Sequence, residues 1–486
     1  MHQKAAAIAT EAKPSSQSDE RRESEPIPQT VAVAGLGFVG AAMAVAVANA
    51  VDDTGRPHFN VTGVDLGNAT GIDRVRKIAA GRFPFETRDE KIIRGIRTVA
   101  DRGNLTATTD KGVYSEADVI LVSVNLDLSF KQGIPTVDLD AFQHVIHTLG
   151  KRAKGGTLII IETTVPPGTC EKIVQPTIRR EATLRGIDPD SIHIAHSYER
   201  VMPGAHYLDS IVNFWRVYAG MTTTAADRCE AFFSRIINVD KYPLTRLAST
   251  TASEIGKVLE NSYRAVNIAF IEEWARFAEA VGVDLYEVID AIRVRPTHSN
   301  LRQPGFGVGG YCLTKDPLFA RIAAREIFSL PNQDFPFCSQ AVEVNRAMPL
   351  VTLKKLREHF GGSLQGRRLL LMGISYRQDI GDTRFSPAET FYRAAVREGA
   401  QVTPHDPLVD RWEEAGLEVH RDLPDVADLD AVILAVPHES YKEIDMCQWL
   451  SRNGECLVLD ANDVLTAGQR RAVARMGNTL LSIGRG

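Results

Sequence analysis

One cysteine lies in an unusually glycine-rich stretch of this sequence. Residues 305–317 read GFGVGGYCLTKDP, so that four glycines precede Cys312 and the charged pair Lys315 and Asp316 follows it. A cysteine thiolate is a strong nucleophile, and glycine at this density costs backbone entropy on folding. The stretch is either a plain loop around a small buried thiol, the common role of a lone cysteine, or a backbone that approaches something closely beside a reactive sulfur.

A second pair of polar residues lies on a segment with helical periodicity. Lys257 and Asn261 are one helical turn apart within residues 251–283, where apolar residues recur at close to helical spacing. On most helices such a pair is simply exposed to solvent. No proline or glycine interrupts the segment between Gly256 and Gly282, so it predicts an unusually long helix that links domains or packs against a second subunit.

Two predicted turns carry further polar residues. The sequence IETTVPPGT at residues 161–169 ends a strand in two prolines and a glycine, which presents Thr164 at the carboxyl edge of a parallel sheet. Ligands of α/β proteins bind at that edge. The sequence SYERVMPG at residues 197–204 carries Glu199 and Arg200 ahead of another sharp turn.

The sequence GLGFVG follows an apolar strand and opens a helix of small residues. Gly35, Gly37 and Gly40 allow a tight turn, room for a pyrophosphate and close packing of helix on strand. Asp65 ends the next strand, where a carboxylate binds ribose hydroxyls and repels a 2′-phosphate, so NAD is favoured over NADP. Two alternatives remain: a turn without a ligand, and a membrane helix over the uncharged residues 31–51.

Short apolar runs alternate with helical patterns at both ends of the chain. This predicts an α/β fold, with two Rossmann-like, doubly wound parallel domains joined by a long central helix and a helical middle domain. The expected divisions are a leader at 1–30, a first α/β domain at 31–240, a helical middle at 241–350 and a second α/β domain at 351–486. The predicted strands are 31–34, 60–65, 118–124, 157–161, 367–373, 401–405, 430–436 and 456–460, with a helix over 349–360.

Bulk composition is that of an ordinary soluble protein. Of 486 residues 44% are hydrophobic and 24% are charged, and the net charge of −5 gives no reason to expect nucleic acid or an anionic membrane as a partner. The six cysteines include no C-x-x-C pair, which favours free thiols in a reducing cytosol. Without a His/Cys cluster we expect no metal site. Residues 1–30 are polar and lack a signal-peptide pattern, so we expect a mostly disordered leader.

Six motifs occur in order along the chain: GLGFVG, ETTVPPGT, ERVMPG, KVLEN, GFGVGGYCLTKDP and GISYRQDIGDTRFSP. Together, from about residue 31 to the end, they resemble the UDP-glucose/GDP-mannose dehydrogenase family of nucleotide-sugar 6-dehydrogenases. The resemblance implies a cytoplasmic enzyme, a homodimer or larger assembly, that oxidises the C6 alcohol of a UDP-sugar to a carboxylate with two NAD+ per turnover. It assigns NAD to the first domain, dimerisation and catalysis to the middle and the nucleotide sugar to the last.

The resemblance also implies catalytic roles. Cys312 resembles the nucleophile, which attacks the C6 aldehyde to give a thiohemiacetal; a second hydride transfer yields a thioester, which water hydrolyses. Lys257 resembles the lysine that stabilises the developing oxyanion and would favour the thiolate, and Asn261 would assist it. Asp316 and Thr164 match residues that hold the water.

Further matches extend the predicted site. Glu199 matches the glutamate proposed as the base of thioester hydrolysis, and Arg295 matches an arginine that reaches a neighbouring subunit's site. The residues matched to cofactor binding are Gly35, Gly37, Phe38, Val39, Gly40, Asp65, Val124, Asn125, Thr164, Glu273 and Arg384. Those matched to substrate binding are Glu199, Arg200, Val201, Met202, Lys257, Asn261, Arg295, Phe306, Gly307, Gly309, Tyr376 and Arg377, and Asp382 belongs to the same segment as the last two.

Two departures from the family pattern bear on specificity. Asn125, in SVNLDL, stands where relatives usually carry a VPTP-like turn, which puts the NAD contact there in doubt. The ERVMPG segment resembles the branch that acts on UDP-N-acetylhexosamines, whereas Lys315 is often absent from that branch. We therefore predict a UDP-N-acetylhexosamine 6-dehydrogenase, with UDP-glucose as the alternative substrate.

Two hypotheses from other classes stay open. A two-electron dehydrogenase of a small hydroxy acid needs no cysteine and would lack the second nucleotide domain. A non-catalytic nucleotide-sugar-binding regulator would tolerate the loss of Cys312 or Lys257, and both residues are present.

Overall fold

The computed structural model of the chain describes residues 28–131, 134–452 and 455–486. The first strand begins at Gln29, so the predicted leader at residues 1–30 lies almost wholly outside the described residues.

The first α/β domain is built on an eight-stranded sheet with the spatial order β10-β9-β8-β7-β4-β1-β2-β3, and a separate hairpin is formed by β5 and β6. All neighbouring strands of the large sheet are parallel except β8 and β9. The strands are β1 Gln29–Ala34, β2 Phe59–Val64, β3 Leu105–Thr108, β4 Val119–Val122, β5 Leu128–Lys131, β6 Ile134–Val137, β7 Leu158–Ile161, β8 His193–His196, β9 Val217–Gly220 and β10 Thr245–Arg246.

The helices of this domain pack on both faces of the sheet. Alternate residues of the central strands enter two separate cores, as Ile160 and Ile159 of β7 do, which explains the continuous apolar runs in the sequence. The helices are α1 Phe38–Asn49, α2 Ala69–Ala79, α3 Glu90–Arg102, α4 Asp140–Arg152, α5 Gln175–Leu184, α6 Asp209–Val212 and α7 Thr223–Phe233.

The parallel sheet predicted from the sequence is present, and the structure adds one antiparallel pair near its edge, between β8 and β9. The connection between β8 and β9, residues 197–216, contains only the four-residue helix α6 and turns back at the carboxyl edge of the sheet. Because no long helix carries the chain back along a face of the sheet, β9 enters antiparallel to β8. This connection holds the predicted substrate turn.

A long helix dominates the middle of the molecule. The helix predicted over 251–283 is present as α8, Thr250–Ala280. Ser249 caps its N-terminus, because the Ser249 side chain accepts a hydrogen bond from the Ala252 amide at 3.1 Å. The other helices here are α9 Leu285–Arg293, α10 Phe319–Ile322 and α11 Pro336–His359.

The helix predicted to begin at Pro349 begins earlier. Helix α11 starts at Pro336, and Pro349 lies inside it. Proline within a helix removes one backbone hydrogen bond and costs about 3 kcal/mol. Packing of α11 between α8 and α12 (Pro387–Arg397) offsets this cost, and Pro349 is buried.

The second α/β domain has a five-stranded, wholly parallel sheet with the order β12-β11-β15-β16-β17 and a small hairpin of β13 and β14. All four strands predicted here are present. The strands are β11 Arg368–Met372, β12 Gln401–His405, β13 Arg411–Trp412, β14 Leu417–Glu418, β15 Ala431–Leu434, β16 Leu457–Asp460 and β17 Leu480–Ser482, and the helices after α12 are α13 Glu439–Lys442, α14 Met446–Leu450 and α15 Ala467–Arg475.

The carboxyl edges of the two sheets face each other. Phe38 follows β1 and Arg384 follows β11, and the Arg384 guanidinium lies 4.8 Å from the centre of the Phe38 ring. The uncharged residues 31–51 form the buried strand β1 and the buried helix α1. Across the part of the chain that the structure describes, no helix is both long and apolar enough to cross a membrane.

Candidate active site

The glycine turn between β1 and α1 has the shape of a phosphate cradle. Gly35 has a φ of +94°, and a Cβ on Gly40 would lie 1.9 Å from the Gly35 carbonyl oxygen. At Gly37 an added Cβ would meet nothing within 4 Å, so the turn is open toward the space above it. Among the residues that the structure describes, no side chain caps α1, which leaves its first N–H groups available to an anion. These residues fit the pyrophosphate of a dinucleotide.

Asp65 follows β2 as predicted and is already held in place. The Leu66 amide donates to Asp65 Oδ1 at 2.8 Å, and Arg74 lies 3.2 Å from Asp65 Oδ2. The same Arg74 guanidinium is 5.4 Å from the centre of the Phe85 ring, which stacks on Phe38 at 3.9 Å. A carboxylate in this position suits ribose hydroxyls. No sequence pattern indicated that Arg74 and Phe85 lie beside Asp65 and Phe38.

A buried ionic cluster lies beneath the glycine turn, and no local pattern in the sequence indicated it. Glu162 pairs with Arg216 and accepts a hydrogen bond from Ser123 Oγ at 2.8 Å. Arg216 Nε also donates to Ser197 Oγ at 2.9 Å. Burial raises the pKa of Glu162, and the Arg216 charge opposes that rise. The cluster joins the carboxyl ends of β4, β7 and β8 to β9, but its members are far apart in the sequence.

Lys257 is the charged centre of the site. Its Nζ donates to the Glu199 carbonyl oxygen at 2.7 Å and lies 3.6 Å from Glu199 Oε1. Burial by itself lowers the pKa of Lys257, but the carboxylates of Glu199 and, to a smaller extent, Asp316 raise it above its ordinary value. The side chain is therefore a buried ammonium, and not the exposed residue of a solvent-facing pair.

Asp316 is held from two sides. Asn261 Nδ2 donates to Asp316 Oδ2 at 2.7 Å, and Lys315 Nζ lies 2.7 Å from Asp316 Oδ1. The Asp316 amide donates to the Cys312 carbonyl oxygen at 2.9 Å, so the carboxylate sits one turn from the thiol. Lys257 and Asp316 both act electrostatically on the Cys312 thiol, so these three residues and Asn261 share one neighbourhood.

The Cys312 residue is exposed to the cleft. Desolvation by the surrounding protein nevertheless raises the pKa of its thiol to about 11, and Asp316 adds to this rise. The Lys257 ammonium acts in the opposite direction, as the sequence analysis expected, but is outweighed. At neutral pH the free site therefore holds a neutral thiol.

The turn that carries Glu199 is fastened to α8. The amide of Val201 donates to the Glu199 carboxylate, and Arg200 Nε donates to Glu260 Oε1 and Oε2 at 3.0 Å each. Arg200 also donates from NH1 to the Trp215 carbonyl oxygen at 2.8 Å. The predicted substrate residue Arg200 thus has its guanidinium engaged with α8, whereas Glu199 is turned toward Lys257.

Thr164 is half-buried in the turn after β7, and its neighbours fix that turn. Thr163 Oγ1 accepts from the Val124 amide at 3.1 Å and donates to the Val124 carbonyl oxygen at 2.9 Å. Glu254 on α8 accepts from the amides of Gly168 at 2.6 Å and Cys170 at 2.8 Å. The loop with Val124 and exposed Asn125 is therefore tied to the turn of Thr164.

The glycine-rich loop before Cys312 is shaped by contacts with the second α/β domain. A Cβ on Gly309 would lie 2.5 Å from the Phe385 carbonyl oxygen, and one on Gly310 would lie 2.8 Å from a Tyr376 ring carbon. Phe306, predicted to bind substrate, packs its buried ring on Phe391 at 5.7 Å. Glycine is therefore required at these positions because the second α/β domain packs against the loop, and not only to let a ligand approach it.

One side chain clamps this loop, and the sequence analysis missed it. Asn345 of α11 accepts from the Val308 amide at 2.8 Å through Oδ1 and donates from Nδ2 to the Val308 carbonyl oxygen at 2.7 Å. Its own carbonyl oxygen would lie 3.3 Å from a Cβ on Gly307, whose φ is +108°. Pro349, four residues further on, has no N–H to give to that carbonyl.

The nucleotide segment after β11 is preorganised. The Tyr376 amide donates to the Asp382 carbonyl oxygen at 2.8 Å, and Arg384 donates to both Asp382 carboxylate oxygens, at 3.0 Å from Nε and 2.8 Å from NH2. Arg377 is exposed. Tyr376 and Arg377 thus flank the cleft on the second domain, and Arg384 reaches Phe38 of the glycine turn on the first.

Some predicted residues are not brought to this centre. Glu273 is exposed on α8, about 18 Å along the helix axis from Asn261. Arg295 is exposed in the turn after α9, and Met202 is exposed in the ERVMPG turn. Within the described ranges, no three His, Cys, Asp or Glu side chains are grouped so as to hold a metal ion.

Family models match the chain in three consecutive parts. The NAD binding domain of the UDP-glucose/GDP-mannose dehydrogenase family matches residues 29–237, its central domain matches residues 251–347, and its UDP binding domain matches residues 370–467.

Individual relatives align over most of the chain. A UDP-N-acetyl-D-mannosamine dehydrogenase of Methanocaldococcus jannaschii is 26% identical over 447 residues, 91% of this chain and 94% of the relative. An NDP-N-acetyl-D-galactosaminuronic acid dehydrogenase of Ralstonia solanacearum is 28% identical over 449 residues, 90% and 97% of the two chains. The solved structure of UDP-D-ManNAc dehydrogenase from Pyrococcus horikoshii superposes with a TM-score of 0.78 at 26% identity, covering 94% of this chain and 100% of that one.

Proposed function

Because this chain belongs to the UDP-glucose/GDP-mannose dehydrogenase family and is an NAD-dependent nucleotide-sugar dehydrogenase, we propose that it oxidises C6 of a UDP-linked N-acetylhexosamine to the carboxylate. The observation that carries the proposed chemistry is the convergence of Cys312, Lys257 and Asp316 in the cleft between the two α/β domains. The choice of sugar is supported by the ERVMPG turn and by the names of the aligned relatives, which act on N-acetylated sugars.

The proposed route is covalent. The C6 alcohol loses a hydride and a proton to become an aldehyde, and the neutral Cys312 thiol adds across its carbonyl, the sulfur bonding to carbon and the proton passing to oxygen. The Lys257 ammonium faces that oxygen and stabilises its developing negative charge. The thiohemiacetal loses a second hydride and its hydroxyl proton to give a thioester. When bound, NAD+ accepts the hydride in each oxidation.

Hydrolysis of the thioester is assigned to the carboxylates around the thiol. Asp316, fixed between Asn261 and Lys315, holds the attacking water, with Thr164 at the opposite turn. Glu199 lies against Lys257 and accepts the proton of that water. The thiol leaves as the carboxylate forms, and the sulfur recovers its proton.

Binding of the two nucleotides is assigned to opposite walls of the cleft. The glycine turn and Asp65 hold the cofactor, and Arg384 closes over it from the second domain. Tyr376 and Arg377 hold the UDP diphosphate, for which the planar guanidinium fork is suited. Arg200, fastened to Glu260, orients the substrate turn.

One observation favours the second candidate, UDP-glucose. Lys315 is retained here and is buried against Asp316 at 2.7 Å, with its ammonium 4.4 Å from the centre of the Phe319 ring. The resemblance associates this lysine with glucose-type members more than with the N-acetylhexosamine branch. Its contacts support a role in holding Asp316, which either sugar would require.

The test is a panel of UDP-sugars with NAD+, in which NADH is followed by absorbance and the product acid by mass spectrometry. UDP-N-acetylmannosamine, UDP-N-acetylglucosamine and UDP-N-acetylgalactosamine are compared with UDP-glucose. We expect two NADH per sugar and the highest kcat/KM for an N-acetylated substrate. One NADH per sugar would indicate a two-electron dehydrogenase. A preference for UDP-glucose would support the second candidate substrate, and binding of a UDP-sugar without NADH formation would support a non-catalytic regulator.

We also propose that the enzyme is a cytoplasmic homodimer, or a larger homo-oligomer built from it, in which a second copy covers α8. Large apolar side chains stay exposed along one side of this helix at helical spacing, and such a stripe is unusual on a monomer. They are Ile255, Leu259, Tyr263, Phe270, Trp274, Phe277 and Val281, each between 47% and 64% exposed. Arg295 would then be free to reach the partner's cleft. Five cysteines are free thiols, which suits a reducing cytoplasm: Cys170, Cys229, Cys312, Cys338 and Cys447.

A further inference from the structure

The residue directly before the nucleophile touches three parts of the molecule. The Tyr311 hydroxyl donates a hydrogen bond to the carboxylate of Asp127, which belongs to the loop after β4 of the first domain. The Tyr311 ring lies 5.5 Å from that of Phe385 in an edge-to-face arrangement, on the second domain. Lys315 of the same loop places its ammonium 4.7 Å from the centre of the Tyr311 ring.

Asp127 is close in sequence to the proposed cofactor contacts. It follows Asn125 by two residues, in the segment where this chain departs from the family pattern. Thr163 fixes Val124 of the same segment from both sides of its peptide. A dinucleotide that contacts Val124 and Asn125 therefore acts on a short, tethered loop whose far end holds the Tyr311 hydroxyl.

Tyr311 also anchors the segment next to the sulfur through its side chain. Glycines occupy four of the six positions between 305 and 310 and provide no side chains, so the order of this segment depends on the clamp at Val308, on Tyr311 and on the hydrogen bond from Thr314 Oγ1 to the Gly310 carbonyl oxygen at 2.9 Å. Burial raises the pKa of Tyr311 and its hydrogen bond to Asp127 raises it further. The phenol thus remains a donor at working pH.

We propose that Tyr311 and Asp127 form a latch that couples occupancy of the dinucleotide site to the position of the Cys312 thiol. The proposal rests on the role of Cys312 given above. Tyr311 is a positioning residue in it, because it acts on the sulfur through the backbone. Coupling of this kind is reciprocal, so a latch that moves the thiol on NAD+ binding also changes the affinity for NAD+.

The test reads the thiol directly and needs no sugar. The rate of Cys312 alkylation by iodoacetamide is measured by mass spectrometry of the peptide, with and without saturating NAD+, in the full-length enzyme. We expect NAD+ to change the wild-type rate by about fivefold or more, and Tyr311→Phe and Asp127→Ala each to reduce the change to about twofold or less. Asp127→Asn keeps an acceptor oxygen and should retain most of the effect.

A double variant and a control separate coupling from a loss of folding. If the two groups act as one unit, Tyr311→Phe with Asp127→Ala resembles either single variant and the effects do not add. Tyr392→Phe, in the second domain and against Trp412, should match the wild type in melting temperature and in alkylation.

Three results would overturn the latch. NAD+ could leave the wild-type alkylation rate unchanged, the effects of the two single variants could add in the double variant, or Tyr311→Phe could show the same NAD+-dependent change in rate as the wild type. Failure of every UDP-sugar to turn over would bear on the proposed function and leave this measurement unaffected.

Discussion

The Cys312 thiol and the Lys257 ammonium lie in one small volume with their protons in place. Burial keeps the proton on sulfur, and the carboxylates of Glu199 and Asp316 keep the charge on Lys257. A neutral thiol adds to a carbonyl only if its proton reaches the oxygen, so in the proposed mechanism the Lys257 ammonium stabilises that oxygen more than the sulfur. This division explains why a buried lysine and a desolvated cysteine are useful together.

Replacement of the proposed nucleophile, Cys312, tests the proposed covalent route. In Cys312→Ser we expect net formation of acid to fall by at least about a thousandfold, because an alcohol is a poorer nucleophile than a thiol and an ester hydrolyses less readily than a thioester. Product acid is quantified by mass spectrometry. Cys447→Ser, at an exposed free thiol, is the matched control and should be fully active. Acid formation at the wild-type rate in Cys312→Ser would remove the sulfur from the mechanism.

The pKa of the thiol gives a prediction with a definite sign. Without ligands, alkylation of Cys312 should accelerate as the pH rises toward about 11, because only the thiolate reacts. Lys257 lowers the pKa of Cys312, so Lys257→Met should move the midpoint to higher pH and slow alkylation at pH 9.

The control for this measurement is Lys354→Met, at an exposed lysine of α11. It should leave the profile unchanged. An unchanged or faster reaction in Lys257→Met would contradict the assignment of the ammonium to this site.

At the scale of elements, helices α8 and α11 each hold part of the site around the Cys312 loop. Helix α8 supplies Lys257 and Asn261 and, through Glu254, holds the turn of Thr164. Helix α11 holds the glycine-rich loop by both polar atoms of the Asn345 amide. A loop rich in glycine has high conformational entropy, so its order depends on such partners.

The clamp of α11 can be weakened at one atom. Asn345→Asp keeps the acceptor for the Val308 amide but places a carboxylate oxygen against the Val308 carbonyl oxygen, which removes one hydrogen bond and adds repulsion. We expect this to destabilise the ordered conformation of the glycine-rich loop by about 1–3 kcal/mol. Because that loop carries Cys312, kcat should fall by a larger factor than KM for NAD+ changes.

The control for the clamp lies on the same helix. Thr352 is buried, and its hydroxyl has no hydrogen-bond partner among residues that the structure describes. Thr352→Ala should lower the melting temperature while leaving kcat close to that of the wild type. If kcat fell in proportion to the melting temperature in both variants, Asn345 would have only a packing role.

At the scale of the whole molecule, two sheets face each other across a cleft and the apolar side of α8 lies outside it. Phe270, Trp274 and Phe277 form edge-to-face pairs at 6.4 and 6.2 Å, so the exposed stripe is ordered as one surface. An ordered aromatic surface of this kind is typical of homo-oligomeric interfaces. The helix thus connects the reacting centre to the proposed subunit contact.

A charge in the centre of that surface should separate the subunits. Trp274→Glu removes a large aromatic contact and would bury a carboxylate, so we expect the dimer to dissociate at micromolar concentration in analytical ultracentrifugation. Leu184→Glu, at a residue that is 76% exposed on α5, is the matched control and should leave the assembly unchanged. A Trp274→Glu protein that sediments like the wild type would place the interface elsewhere.

Features that depend on neighbours in the chain were predictable from the sequence. The glycine turn at 35–40, the acidic end of β2 and the length of α8 follow from local sterics and periodicity, and the structure has all three. A catalytic role for Cys312, Lys257 and Asn261 could be proposed only through the family resemblance, since a lone cysteine or a Lys257–Asn261 pair is compatible with several roles. Their convergence required the fold.

The tertiary structure alone decided the contacts between distant segments. The reversed direction of β9, the continuation of α11 through Pro349, the pairing of Glu162 with Arg216 and the clamp of Asn345 on Val308 join residues with no common local pattern. Each depends on packing energy that a window of sequence does not contain, because burial can offset a missing helical hydrogen bond or a desolvated charge. Local rules therefore determined which elements form, and long-range packing determined what those elements hold in place.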